Sequence, residues 1–313
     1  MLRTSAKILL AMLGVFMLYL GWRTLVSGAM EEIVSPIPGS DSTISEPTPL
    51  PPTQTRTPTP TPTPSGLSLA VQKSLAGTSG RYAIVIKNLK TGESYAQNED
   101  EVFETASLYK LWVMSVVYDF LDKGKLTKGK PLSVSVQTLN GAFGIDPVDA
   151  ERTEGFVNFT VGEALEQMIT ISHNYAAILL SYTVKNSSVA DFLHREALDR
   201  SKTGQPPLST ASDMALFYEK LYKGKVVNTT LDREMMDLLA RQQLNDRIPK
   251  YLPEGVKVAH KTGELGGYKH DAGIVFANGD YIFVVLSKSA DPAAAAEREA
   301  KLSKAVYDYF SSQ

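Results

Sequence analysis

Cysteine is absent from all 313 residues. That excludes a thiol nucleophile, disulfides, Cys-ligated zinc, iron–sulfur clusters and a lipid-modified N-terminal cysteine. Histidine is scarce, with only His173, His194, His260 and His270, and none falls in an H-E-x-x-H string, so a zinc protease is not expected. There is no excess of positive charge: 32 Lys and Arg stand against 34 Asp and Glu. Phosphate binding needs a basic surplus, so nucleic acid is not an expected partner. Long apolar runs are also nearly missing. The one exception, Ile8 to Trp22, has fifteen residues, and a bilayer core wants about 20.

That run is preceded by Arg3 and Lys7 and closed by Arg23. Positive charge before a short apolar stretch marks a signal peptide or a short signal anchor with its N-terminus inside. Ser27-Gly28-Ala29 is a weak cleavage candidate, and Tyr19 and Trp22 suit an outer interface. Between Ser35 and Pro64 lie ten of the 17 prolines, ending in TPTPTPTP. Proline cannot feed helix or sheet ladders, so this tract is an extended spacer outside the fold. The chain therefore divides into residues 1–30, a signal peptide or membrane anchor; 31–65, a Pro/Thr-rich linker; and 66–313, one domain. The first 65 residues carry four basic and four acidic groups, so the net charge of −2 belongs to the domain. The expected location is the outer face of the cell membrane, or secretion.

Within the domain, periodicity predicts a helix over 67–75, then strands at 81–89 and 93–97 joined at Lys90-Thr91-Gly92. Helices follow over 105–126, 161–172, 174–184, 189–198, 209–223 and 230–243. The 161–172 helix opens on a capping box, Thr160 to Glu163. Strands return at 255–260, 270–277 and 281–287, the last two joined by Asn278-Gly279-Asp280, and a helix over 294–310 closes the chain. The fold class is α+β: an antiparallel five-stranded sheet built from both chain ends and packed against a helical middle.

Three short strings carry chemistry. Ser107-Leu108-Tyr109-Lys110 is the one S-x-x-K in the chain. On a helix, positions i and i+3 share a face, and a desolvated lysine can take the proton of a serine hydroxyl. A helix N-terminus adds free N–H groups for developing negative charge. Ser172-His173-Asn174 sits where one predicted helix gives way to the next; by itself it reads as ordinary capping. Lys-Thr-Gly occurs three times, at 90–92, 202–204 and 261–263. Only Lys261-Thr262-Gly263 closes a predicted strand, where Lys and Thr could bind a carboxylate and strand N–H groups an oxyanion.

In the order S-x-x-K, S-x-N, K-T-G, separated by 65 and 89 residues, the domain resembles the class A β-lactamase and penicillin-binding-protein superfamily of serine acyl enzymes. The likeness extends to the element order, to LSTASDMALFYEKLYKGK and to LPEGVKVAHKTGELGG. It implies that Ser107 is the acylated nucleophile, Lys110 its base and Ser172 the proton carrier to the leaving nitrogen. Asn174 would bind the substrate side-chain amide, and Lys261 and Thr262 its carboxylate. The N–H groups of Ser107 and Glu264 would form the oxyanion hole, and Gly263 would let substrate approach closely. Phe143 is a weaker candidate for a wall of the cleft. The implied substrate is a β-lactam or a cell-wall peptide, with no cofactor or metal, and the protein is expected to be a monomer.

Two departures stand out. His173 occupies the place where the superfamily usually has Asp. No E-x-x-L-N string occurs anywhere, so the glutamate that activates the deacylating water in class A enzymes has no counterpart by motif. Glu196, the nearest candidate, reads as a solvated helix residue. The alternatives are a D-alanyl-D-alanine carboxypeptidase or esterase on the same scaffold, or an acylation-only or non-catalytic sensor of lactams or cell wall.

Overall fold

The computed structural model describes residues 65–313. The signal peptide or anchor assigned to residues 1–30 and the linker assigned to 31–65 lie outside these described residues, except for Ser65, which caps the first helix. Among the described residues, no helix is long and apolar enough to cross a membrane.

The domain opens with α1 (Gly66–Leu75), capped by the Ser65 hydroxyl, and closes with α9 (Pro292–Ser311), capped by Asp291. Between them run β1 (Arg81–Asn88), β2 (Ser94–Gln97), β3 (Phe103–Glu104), a 3-10 turn (Ala106–Tyr109) and α2 (Lys110–Asp122). Next come β4 (Pro131–Ser135), α3 (Val136–Ala142), β5 (Phe156–Thr160), α4 (Val161–Thr170), α5 (Asn174–Val184) and α6 (Asn186–Arg195). The chain continues with β6 (Leu208–Ser209), α7 (Ala211–Tyr222), α8 (Thr229–Leu239), β7 (Lys257–Leu265), β8 (Tyr268–Phe276) and β9 (Tyr281–Lys288).

The main sheet has five antiparallel strands in the order β2-β1-β9-β8-β7, so strands from both chain ends meet at the β1–β9 pairing. Side chains alternate across it, as a period of two requires. Tyr281, Phe283 and Val285 of β9 pack toward α1 and α9, while Ile282, Val284 and Leu286 join the core under the helical block. Nine consecutive residues of α2, Lys110 to Tyr118, are buried, so this helix is the axis of the block and not an amphipathic surface helix.

The α+β class and the five-stranded antiparallel sheet agree with expectation. Several details differ. The segment 105–126 is not one helix: its first turn is 3-10, and Ala106 just before the serine has φ of +44°. The last motif lies inside β7 and does not close it, because the strand runs on to Leu265 and turns through Gly266-Gly267. Thr210 caps α7, and Asn228 caps α8 through two backbone N–H groups. Asp232 instead turns back to accept from Val226 and Val227. Strands β3, β4, β5 and β6 and the helix α3 had no clear periodic signal.

Candidate active site

Four pieces of chain converge beside the outer edge of β7: the 3-10 turn with Ser107, the first residue of α2, the α4–α5 junction and β7 itself. Burial grades through them. Lys110 and Lys261 are sealed (each 0% exposed), Ser107 and Ser172 are half-buried, and Asn174, Glu151 and Glu264 are exposed at the rim. The result is a cleft with two amines at its floor.

Lys110 Nζ donates to Ser172 O at 2.6 Å, Ser172 Oγ at 3.1 Å and Asn174 Oδ1 at 2.9 Å. All three go to the α4–α5 junction, so the amine contacts Ser172, not Ser107 directly as the i, i+3 spacing suggested. Lys261 Nζ reaches the same Ser172 Oγ at 3.0 Å and Thr262 O at 2.8 Å. One hydroxyl thus bridges two buried lysines. Burial pulls Lys110 down to about 7, with Glu151 partly opposing. Lys261 lies well below an ordinary lysine, through burial first and the charge of Lys110 second. Near neutral pH this pair holds amines able to accept a proton, which solvated lysines are not.

The backbone is arranged to make these contacts. Ser172 has φ of +59°, a left-handed position that non-glycine residues seldom adopt. With Ala106, it places two such residues at the meeting point, the sort of place where strain is retained for function. His173 N-caps α5, its Nδ1 accepting from Ala176 N at 3.2 Å, and its ring meets Phe159 edge-on. That is the capping an aspartate would supply, so the His-for-Asp departure leaves the helix start satisfied.

Gly263 has a structural reason that differs from the expected substrate approach. A Cβ there would stand 2.8 Å from Thr105 O and 3.2 Å from the Leu108 side chain. The glycine lets β7 lie against the serine's own turn. Thr262 is buried (2% exposed) beside Lys261 on the same strand. Glu264 turns outward, its carboxylate paired with Arg247 Nη2 at 2.8 Å and with Lys269. As an edge strand, β7 leaves alternate N–H groups unpaired by β8, next to Ser107.

Glu196 is not solvated. It is 6% exposed at the C-cap of α6, paired with Arg195 at 3.1 Å and with Lys220 of α7 at 3.2 Å. Its partners hold it within the helical block. Two groups escaped the sequence reading. Glu151, in the irregular loop between α3 and β5, accepts from Asn174 Nδ2 at 2.5 Å. Arg247, nearly buried, lies beside Glu264. Neither sits in a motif or a periodic pattern. No group of three His, Asp or Glu among the described residues could hold a metal ion.

The serine's turn is also tied down from behind. His270 Nε2 donates to Glu104 O at 2.8 Å, while its Nδ1 accepts from Ser287 N at 3.1 Å. Burial lowers its pKa from 6.5 to about 4, so the ring is neutral when folded. A base with a depressed folded pKa binds protons more readily unfolded. Its contribution is therefore complete above about pH 6.5 and is lost as pH falls toward 4. At 1.36 kcal/mol per unit the full loss is about 3 kcal/mol. Urea midpoints measured from pH 4 to 7 should fall more steeply for the wild type than for His270→Gln. Parallel curves would disprove the assignment.

Residues 66–310 match the family model described as the beta-lactamase enzyme family. The chain is similar to the solved structure of a β-lactamase from Sphaerobacter thermophilus, at 23% identity over 79% of this chain and 98% of that one, with a TM-score of 0.70. It is similar to PBP-A at 22% identity over 80% and 97% of the two chains, with a TM-score of 0.71. A substituted form of PBP-A, described as an acyl-enzyme complex with penicillin G, matches at 23% identity over 79% and 96%, with a TM-score of 0.69. At such identities the structural likeness is one of fold. No curated protein matches the chain.

Proposed function

The chain belongs to the beta-lactamase enzyme family, serine hydrolases acting on lactam amide bonds, and from that premise we propose that it opens β-lactams through an acyl-enzyme on Ser107, in the manner of class A enzymes. The observation carrying this reading is the Ser172 hydroxyl held between Lys110 at 3.1 Å and Lys261 at 3.0 Å. Ser107 Oγ attacks the lactam carbonyl as its proton passes to neutral Lys110. The new Oγ–C bond forms, an oxyanion develops against the N–H groups of Ser107 and Glu264, and the C–N bond breaks. Ser172 gives its proton to the leaving nitrogen and is reprotonated from Lys110. The substrate carboxylate favours the charged form of Lys261, so this amine binds it best by taking up a proton on complex formation. Asn174, held by Glu151 and Lys110, offers its remaining amide N–H to the substrate side chain.

We further propose that residues 8–22 tether the enzyme at the outer face of the membrane and that the Pro/Thr tract spaces it away. This rests on the charge pattern around the apolar run and on the proline content.

A second reading is an acyl-enzyme that hydrolyses slowly, as in a D-Ala-D-Ala carboxypeptidase, an esterase or a lactam sensor. It is favoured by Glu196, the one glutamate between Val189 and Ser209, which is held by Arg195 and Lys220. Incubating the full chain with a reporter lactam, and following protein mass and product together, tests both. We expect one acyl group per chain with continued product release, and no mass gain in Ser107→Ala. A stoichiometric adduct without turnover selects the second reading. No adduct at all ends every acyl-enzyme reading.

A further inference from the structure

Glu151 stands in the irregular loop between α3 and β5, yet its place is fixed. The next residue is clamped by two buried side chains: Arg152 O accepts from Asn140 Nδ2 at 2.8 Å, and Arg152 N donates to Tyr175 Oη at 3.2 Å. The Glu151 carboxylate is thereby set against the start of α5, where Oε1 accepts from Asn174 Nδ2 at 2.5 Å. Asn174 belongs to a row across the cleft. Successive hydrogen bonds run from Glu151 through Asn174, Lys110 and Ser172 to Lys261.

The two ends of this row differ in charge balance. At the Lys261 end, the rim carboxylate of Glu264 is offset by Arg247 at 2.8 Å and by Lys269. At the other end, the one hydrogen bond that Glu151 accepts among the described residues comes from a neutral amide. Neither nearby cation turns to it. Lys110 spends its three N–H groups on Ser172 O, Ser172 Oγ and Asn174 Oδ1. Arg152 donates to Phe156 O at 3.1 Å and lays its guanidinium over the Tyr175 ring. A carboxylate accepts at both oxygens, so Glu151 can keep Asn174 on Oε1 and take a cation on Oε2. On the acyl-serine reading, Asn174 also offers an N–H to the substrate's side-chain amide. A carboxylate 2.5 Å from that nitrogen is a direct neighbour of the amide, and a charge beside the amide meets it at contact range.

We propose that Glu151 selects the charge of the acyl donor. The cleft takes a substrate with a carboxylate at the Lys261 end and an ammonium beside its side-chain amide at the Glu151 end, and it disfavours a second anion there. The substrate class is a zwitterionic acyl donor: a lactam acylated by an amino acid, or a peptide with an amine at that position. The inference rests on the acyl-serine reading above. Glu151 is then a specificity residue. Its influence on Lys110 is common to every substrate, whereas charge selection differs among them.

The test compares three penicillins that share one ring system and one aryl group. Ampicillin has an ammonium beside the side-chain amide, benzylpenicillin a hydrogen and carbenicillin a carboxylate. Acylation constants of the full chain are read from protein mass at pH 7, where most of an α-amine is charged. They should fall in that order, by about threefold or more per unit of charge, the worth of a modest ion pair. Glu151→Gln keeps an acceptor for Asn174 Nδ2 and removes the charge, so it should level the three constants. Glu151→Lys should reverse their order. Raising the ionic strength from about 0.01 to 1 M, which cuts the Debye length from about 30 to 3 Å, should flatten the wild-type order. That measurement needs no substitution, so misfolding of a variant cannot protect the proposal. Equal constants in the wild type, or an order that survives in Glu151→Gln whatever the common change in rate, would overturn the inference and leave the acyl-enzyme standing. No mass gain with any of the three would remove the acyl-enzyme reading, and this inference with it.

Discussion

Lys110→Met should lower the acylation constant for a reporter lactam by about 10²–10⁴-fold, the usual worth of a positioned general base. The reason is that a serine hydroxyl has almost no nucleophile at neutral pH without a group to take its proton. Lys110 meets that need because it is fully buried at the start of α2 and is pulled down to about 7. Methionine keeps much of the length and apolar bulk, and it removes a buried amine, so the fold should persist. Its Tm is the control. The wild-type acylation constant should rise with pH and level off above about 7, as Lys110 loses its proton. Glu151 acts in the opposite direction to burial, holding that proton on. Glu151→Gln should therefore move the acid limb to lower pH while leaving the plateau within a few-fold. A Lys110→Met protein that acylates at the wild-type rate, or a wild-type profile flat from pH 5 to 8, would disprove the role.

This chemistry was legible in sequence to different depths. Ser107 and Lys110 could be picked out because a serine and a lysine three residues apart share a helix face, whereas Ser172, which reads by itself as a cap, and Lys261, in one of three K-T-G strings, were picked out through the family resemblance. Four of the five strands could be read because they are buried on alternating or continuous faces, and β2, which has no buried residue, from the turn that joins it to β1. What failed depended on partners distant in sequence. Glu196 lies at a helix end where local pattern suggests solvent, yet Lys220, 24 residues later, closes over it. Glu151 stands in an irregular loop, and only the folded chain brings it to Asn174, 23 residues on. Strands β3 and β6 are two residues each and exist only because they pair with one another. The 3-10 start before α2 was hidden by strong helical periodicity running through it. The contacts of the Lys110 amine with Ser172 and Asn174 join residues 62 and 64 apart, which no local pattern could show.

Gly263→Ala should cost activity about 10²-fold, and it should do so for small and large lactams alike. The added Cβ would lie 2.8 Å from Thr105 O, 3.2 Å from Leu108 Cγ and 3.2 Å from His270 Cδ2. The first of these is backbone, and Glu104 O beside it is held by His270, so nothing flexible can give way. Either β7 or the 3-10 turn must shift by several tenths of an ångström. Both carry reacting groups: β7 brings Lys261 to 3.0 Å from Ser172 Oγ, and the turn carries Ser107. Misplacement of this order is enough for a 10²-fold loss. Overpacking of this kind costs about 1–3 kcal/mol, so Tm should fall by roughly 2–12 °C at 2–4 °C per kcal/mol for a domain of this size. Gly129→Ala, where a Cβ meets nothing within 4 Å, is the matched control and should change neither quantity. The two explanations for this glycine then separate. If it serves close approach of substrate, Gly263→Ala raises KM most for bulky lactams and leaves Tm in place. If it serves the contact between strand and turn, Tm falls and kcat/KM drops whatever the substrate's size. The 2.8 Å contact with a fixed carbonyl requires the second outcome, and an unchanged Tm would disprove it.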